Sequence, residues 1–257
     1  EAGFDWQKVQ ERKTRITQQL RQGIIKLLEK SGVKIFNGHG QLCKDRVIKV
    51  TSREDASVSE IQAKKVCLAV GSVPAAPGVF PANREIFWTS NEALNADKVP
   101  ESLLVVGGGV IGIELGQVFA EFGSKVCIVE MMPQILPGLD SATAKRLLPV
   151  FKKSGLEILV GKKVDSLAEK SGRAIAVIDG SEREFDKVLI AVGRRVNMSF
   201  IQGSDLQLET EKGFIKIDDN FMTSEPDVYA IGDAVKGPML AHKASYDAMI
   251  LAAKWQG

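Results

Sequence analysis

Apolar residues recur at helical spacing through the first thirty positions. Val9, Ile16, Leu20, Ile24, Leu27 and Leu28 are separated by Lys, Arg and Gln, a period that predicts an amphipathic helix over 4–29 packed on a sheet. Ser31 and Gly32 supply its stop. Beyond it the period shortens, and 33–36, 46–51 and 58–63 read as strands, with 65–70 a buried strand ending at Gly71 and Ser72. Residues 75–81 form a Pro/Ala/Gly stretch suited to a linker. From Ser102 the pattern alternates: strand 103–106, helix 110–122, strand 125–130, helix 141–153, strand 156–160. Segments 174–178 and 185–191 are expected to complete the same sheet, and short strands at 214–217 and 228–231 precede a helix from about Lys243. Parallel strands joined by helices predict an α/β, doubly wound arrangement. One internal echo, 67–72 against 189–194, fits two related nucleotide-binding units: each is an apolar strand ending in Gly plus a polar residue.

Composition narrows the picture by exclusion. With 257 residues, 44% hydrophobic, 26% charged and a net charge of +2, the chain has core enough for one large or two modest domains. It carries no basic stripe suited to nucleic acid, and no apolar run reaches the ~18 residues of a membrane span. Cys43, Cys67 and Cys127 are far apart, with no CxxC or CxxxxC spacing; they read as buried, inert thiols, and no metal site is expected. No leader or lipidation motif is read at either end. The first residue is Glu1, which implies processing, a chosen boundary, or a natural terminus further upstream.

The chemistry concentrates at Gly107, Gly108, Gly109, Val110, Ile111 and Gly112, a G-x-G-x-x-G that follows an apolar strand and opens a helix. The next strand ends at Glu130. Strand, turn, helix and acid together form the dinucleotide-binding context that the glycines alone do not establish. Gly107 permits the tight turn, Gly109 lets backbone approach a pyrophosphate, and Gly112 lets the helix lie close to the strand. Unpaired N–H groups and the positive dipole end of the helix suit phosphate. Glu130 suits ribose hydroxyls and repels a 2′-phosphate, which favours NAD over NADP.

These residues carry a wider resemblance. Residues 107–116 and 135–140 resemble the NAD domain of the dihydrolipoamide dehydrogenases, within the flavin disulfide oxidoreductases. Residues 191–195 are similar to that family's second glycine signature, 227–234 to its flavin signature, and 237–244 to the segment most specific to those enzymes. The resemblance runs in order along essentially the whole chain. It implies a Rossmann-like NAD domain over 100–215 inserted in a related FAD domain formed by 1–99 and 216–257. For FAD it implies Asp233 on a ribityl hydroxyl, Gly40, Gly71 and Ser72 near the adenine and pyrophosphate, and Met239, Leu240, Ala241 and His242 beside the flavin. His242 would be a positioning residue. For NAD it implies Val164 against the adenine and Gly193 near the nicotinamide, with Glu114 paired to a lysine upstream of residue 1.

The resemblance further implies an NAD-dependent flavoprotein that oxidises protein-bound dihydrolipoyl groups of a 2-oxoacid dehydrogenase or glycine cleavage complex. It would act as a homodimer, in a bacterial cytoplasm or a mitochondrial matrix, with no nucleic-acid or membrane partner. Two positions depart from the pattern: Val70 replaces a usual Thr, and Val196 a usual Pro. The family's redox CxxxxC and its acid–base His-Glu pair match no residues of this sequence, so no catalytic residue is assigned and the 257 residues alone are expected to be inactive in the full reaction. Glutathione-type or mercuric-type reductases of the same fold, and a non-catalytic NAD-binding module, are the alternatives. Glu130 and the run 239–243 argue against the two reductases.

Overall fold

The structure is a computed structural model that describes residues 3–75, 77, 78 and 80–256. Along the chain, helix α1 (Trp6–Lys30) leads to strands β1 (Gly38–Leu42), β2 (Val47–Ser52), β3 (Val58–Gln62), β4 (Val66–Leu68) and β5 (Ser72–Pro74). Then come β6 (Phe87–Trp88), α2 (Ser90–Leu94), β7 (Ser102–Val106), α3 (Val110–Glu121), β8 (Lys125–Glu130), α4 (Ser141–Lys153) and β9 (Glu157–Val160). The remaining elements are β10 (Val164–Lys170), β11 (Arg173–Ile178), β12 (Ser181–Phe185), β13 (Lys187–Ile190), β14 (Arg194–Val196), β15 (Thr210–Glu211), β16 (Phe214–Ile215), β17 (Val228–Ala230) and α5 (Ala241–Gln256). Two compact units result: residues 1–22 with 74–193, and residues 23–73 with 194–257.

The first unit is built on a parallel sheet in the order β6-β13-β7-β8-β9. Strand alternation sorts its side chains onto two faces. Leu103, Val105, Ile128 and Leu189 pack with Ile113 and Phe119 of α3 on one side. Leu104, Val106, Val129 and Val188 pack on the other with Ala174, Ala176, Ile178 and Phe185. That second face is covered by an antiparallel sheet, β10-β11-β12. Residues 173–178 therefore lie over the parallel sheet, not within it as the sequence pattern suggested, and only 187–190 joins it. The antiparallel hairpins leave their outer face to solvent, which is why β11 alternates buried and half-buried residues where β7 is continuously buried after its first residue.

Residues 74–99 cluster with this unit because β6 pairs with β13 and α2 packs against α3. Thr89 caps α2 by accepting the Asn91 N–H, while Glu92 accepts the Thr89 N–H at 2.6 Å, a capping box. The start of α1 docks here too. Trp6 Nε1 donates to Ala96 O at 2.8 Å, and Phe4 and Trp6 meet the Phe122 ring edge-on. The helix is thus laid on other helices through its first turns, not on a sheet along its length, and Leu20, Ile24 and Leu27 are exposed.

The second unit holds the antiparallel sheet β1-β2-β3 and the pairs β4-β17, β5-β14 and β15-β16. Its core gathers Leu42, Val66, Leu68, Val196, Phe200, Ile215, Val228 and Ala230. Strands β4 and β17 are parallel neighbours, Val66 beside Val228 and Leu68 beside Ala230. The strand expected at 33–36 does not form; β1 begins at Gly38, where a Cβ would lie 2.4 Å from Thr51 O. Close approach of β2 selects the glycine-bearing segment over the more apolar one. The three thiols are free, but only Cys127 is buried. Cys67 is exposed because β4 turns Val66 and Leu68 inward and Cys67 out.

Candidate nucleotide-binding clefts

In the first unit the carboxyl ends of β7, β8 and β13 meet where the connections diverge, the position at which open α/β sheets form a crevice. The glycine turn after β7 explains itself residue by residue. Gly107 has φ of 109°, and a Cβ there would stand 2.4 Å from Ala191 O. At Gly112 a Cβ would come within 2.0 Å of Gly107 O, and at Gly108 within 2.9 Å of Glu130 Cβ. At Gly109, with φ of −74°, no atom lies within 4 Å of the missing Cβ. Three of the four glycines are therefore required by the protein's own packing, and the fourth by nothing inside it. Gly109 also caps α3 without a side chain, and no acidic residue stands in the first turn. The helix start thus carries neither a side-chain cap nor an acidic partner of its own.

Glu130 ends β8 with 6% of its surface exposed. Its Oε2 accepts the Gly108 N–H at 2.7 Å and its Oε1 the Met132 N–H at 2.7 Å. A carboxylate has about four acceptor sites, so capacity remains for hydroxyl donors. A cleft of about 440 Å³ runs past Val106, Gly107, Gly109, Glu130, Val164 and Gly193. Met131, Met132, Lys162 and Lys163 complete part of its wall; no sequence signal singled them out. Lys163 Nζ pairs with Asp165 at 3.0 Å, and Lys162 pairs with Asp179. Val110 is exposed and Ile111 half-buried at the helix start, while Glu114 is exposed on α3 and absent from the cleft wall.

The second unit has its own cleft, about 530 Å³, lined by Ala69, Gly71, Asp233, Met239, Ala241 and Ala244 among others. Ser72 Oγ donates to Asp233 Oδ2 at 2.6 Å. Arg194 holds Ser72 twice, Nε to Oγ and Nη2 to the carbonyl oxygen, each at 2.7 Å. One hydroxyl thus links a guanidinium to the carboxylate and fixes both. Beside it, Gly232 adopts φ of 66°. Its N–H donates to Asp247 Oδ2 at 3.0 Å, its carbonyl accepts from Lys243 Nζ at 2.9 Å, and Lys243 and Asp247 pair at 2.7 Å. One turn of α5 therefore clamps the Gly232 peptide. Leu240 and His242 are exposed and do not line this cleft. Gly40 lies on β1 opposite Val50, away from its wall.

The same arrangement is found in solved structures. The chain superposes on LpdA of Mycobacterium tuberculosis with a TM-score of 0.87 at 24% identity, covering 100% of this chain and 57% of that one. For the HOCl-induced flavoprotein disulfide reductase RclA of Escherichia coli the TM-score is 0.86 at 22% identity, with 98% and 57% covered. At such identities the likeness establishes an α/β protein of Rossmann-like fold.

Sequence relatives go further. The family model described as pyridine nucleotide-disulphide oxidoreductase matches residues 2–248. The dihydrolipoyl dehydrogenase of Acholeplasma laidlawii is 38% identical over 253 residues, 96% of this chain and 72% of that protein. That of Chlorobaculum tepidum is 37% identical, covering 96% and 54%. The chain belongs to the pyridine nucleotide-disulphide oxidoreductase family, whose members are FAD- and NAD-dependent flavoproteins. It spans about half the length of most of the curated relatives it matches. Among the described residues no helix is long and apolar enough to cross a membrane.

Proposed function

We propose that this chain is the central cofactor-binding portion of an NAD-dependent dihydrolipoyl dehydrogenase. The unit of residues 1–22 with 74–193 holds the elements of an NAD-binding domain, and that of 23–73 with 194–257 those of an FAD-binding domain, a division that moves 1–22, 74–99 and 194–215 across the boundaries read from the sequence. The observation that carries the reading is the open space before Gly109, in a turn whose other glycines are all held by neighbouring atoms. A pyrophosphate would occupy that space, with the start of α3 supplying N–H donors. Glu130 would receive the adenosine ribose, Val164 the adenine, and Gly193 would lie toward the nicotinamide. In the second unit Asp233, aimed by Ser72, would accept from the ribityl chain of FAD, with Gly71, Met239 and Ala241 around it.

FAD, when bound, supplies the two-electron relay between a dithiol and NAD. The residues of this chain bind and orient; Cys43, Cys67 and Cys127 are free thiols, and none is assigned to dithiol exchange. The substrate would be a dihydrolipoyl group carried by a protein of a 2-oxoacid dehydrogenase or glycine cleavage complex, and the working assembly a homodimer. A bacterial cytoplasm or mitochondrial matrix fits such chemistry.

Calorimetric titration of the 257-residue chain with NADH and NADPH tests the nucleotide reading, and absence of NADH binding at millimolar concentration overturns it. Titration with FAD, read by the visible spectrum, tests the second cleft; an Asp233→Ala protein that takes up FAD as the parent does would remove Asp233 from that role.

A further inference from the structure

The wall of the first cleft carries a feature that nucleotide binding does not require. Met131 and Met132 follow Glu130 directly, and both line the cleft. They are 73% and 47% exposed, so both residues meet solvent at a wall that a nucleotide would cover. The backbone holds them there. The Met132 N–H donates to Glu130 Oε1 at 2.7 Å and its carbonyl accepts the Gly161 N–H at 2.9 Å. The backbone that carries the pair is thereby tied to the Glu130 carboxylate.

We propose that Met131 and Met132 form an oxidation site that controls access of the nucleotide, an inference that rests on the NAD reading of this cleft. A peroxide transfers one oxygen atom to the sulfur: the O–O bond breaks, an S–O bond forms, sulfur loses two electrons, and the peroxide leaves as water. The sulfoxide is a polar acceptor in place of an apolar, polarisable group. Docking of a nucleotide against it would strip water from a strongly polar oxygen where the thioether had offered an apolar surface. Affinity falls while the fold is kept, since both residues sit at the surface. The molecule provides its own comparison in Met249, 68% exposed on α5 of the other unit and absent from the wall of either cleft.

The test uses the 257-residue chain treated with hydrogen peroxide and then with dithiothreitol, which returns sulfenic acids to thiols and leaves sulfoxides. Peptide mass spectrometry locates the oxygen, and calorimetry reads NADH binding. The expected result is a rise in Kd of about tenfold, reversed by methionine sulfoxide reductases. Met249→Leu shows the same rise. Met131→Leu combined with Met132→Leu, whatever its own Kd, shows no change on peroxide treatment. NADH present during oxidation protects Met131 and Met132 but not Met249. Unchanged affinity with both sulfoxides confirmed, or oxidation rates indifferent to NADH, overturns the proposal. Failure of the untreated chain to bind NADH overturns the nucleotide reading beneath it, and is told apart by being seen before any oxidation.

Discussion

The N–H of Gly108 donates to Glu130 Oε2 at 2.7 Å, so the glycine turn and the acidic residue at the end of the neighbouring strand are one hydrogen-bonded unit. Glu130 therefore holds the turn, and under the proposed function it would also meet the ribose. Glu130→Ala removes the acceptor of two backbone N–H groups and is expected to cost about 1–3 kcal/mol of stability. It should also narrow the difference between NADH and NADPH, because the carboxylate that repels a 2′-phosphate is gone. Glu130→Gln, which keeps one oxygen acceptor, should lose less stability. Denaturation with urea and calorimetry with both nucleotides check the pair; a mutant with its NADH preference intact would count against Glu130 as the discriminating group.

Gly112 and Gly109 should separate stability from binding. Gly112→Ala puts a methyl group 2.0 Å from Gly107 O, a backbone clash with no flexible partner, and is expected to destabilise by roughly 3 kcal/mol or more. Gly109→Ala meets nothing within 4 Å, and its φ of −74° is open to any residue. Its melting temperature should stay within about 2 °C of the parent, while NADH affinity falls at least ~10-fold as the methyl group blocks the pyrophosphate. A Gly109→Ala protein that binds NADH normally would leave that open space without a ligand.

Removing Asp247 should be costly. Asp247 is 7% exposed, and its carboxylate accepts both the Gly232 N–H and the Lys243 ammonium. Asp247→Ala leaves a cation and a peptide N–H unpaired in a largely buried site, an expected loss of about 3–5 kcal/mol. Asp247→Asn retains an acceptor for Gly232 and should be milder. Thermal unfolding of the three proteins gives the order directly.

Burial pushes the Cys127 thiol up to about 12, with the nearby Glu157 carboxylate adding to the effect and Arg183 opposing it. An unfolded chain releases this proton near the ordinary thiol value, the folded chain only at much higher pH. The contribution of Cys127 to stability is therefore complete below about 8.5, the ordinary thiol value, and is lost as the pH climbs toward 12, because the unfolded state binds fewer protons there. Stability measured across the alkaline range should fall more steeply for the parent than for Cys127→Ala. At pH 8 a thiol reagent should modify exposed Cys67 and leave Cys127 untouched until unfolding; fast modification of Cys127 would contradict its burial.

What the sequence made legible was local. The turn at 107–112, helix α3 and the acid at 130 are adjacent in chain and space, so spacing alone carried them. Strand β8 and helix α4 have the bounds the pattern predicts, because each has one clear periodicity and a clear stop. The partner of β13 on its outer side was not legible: β6 has two residues and pairs across a hundred positions. Nor was the layer formed by β10–β12, since Ala174, Ala176 and Ile178 read as core whether a strand lies in a sheet or above it. The link from Arg194 through Ser72 to Asp233 joins three distant segments, and no spacing rule encodes it. Cys67 misled for a related reason: an apolar run looks the same whether one face of a short strand is covered or both.

The pairing of Val66 with Val228 has a consequence for how the chain reaches its fold. The second unit is written in two pieces, and its parallel pair cannot form until the polymer between them has been brought round. Left as a flexible loop, that stretch would impose a closure entropy on every attempt. Once folded, it no longer behaves as a loop: the Ala75 N–H bonds to Gly193 O at 2.9 Å, so the points where the chain enters and leaves the first unit are neighbours. A stretch 74–193 that collapses first on its own contacts would present its two ends together. The flanking pieces would then meet across a gap already shortened to a few residues.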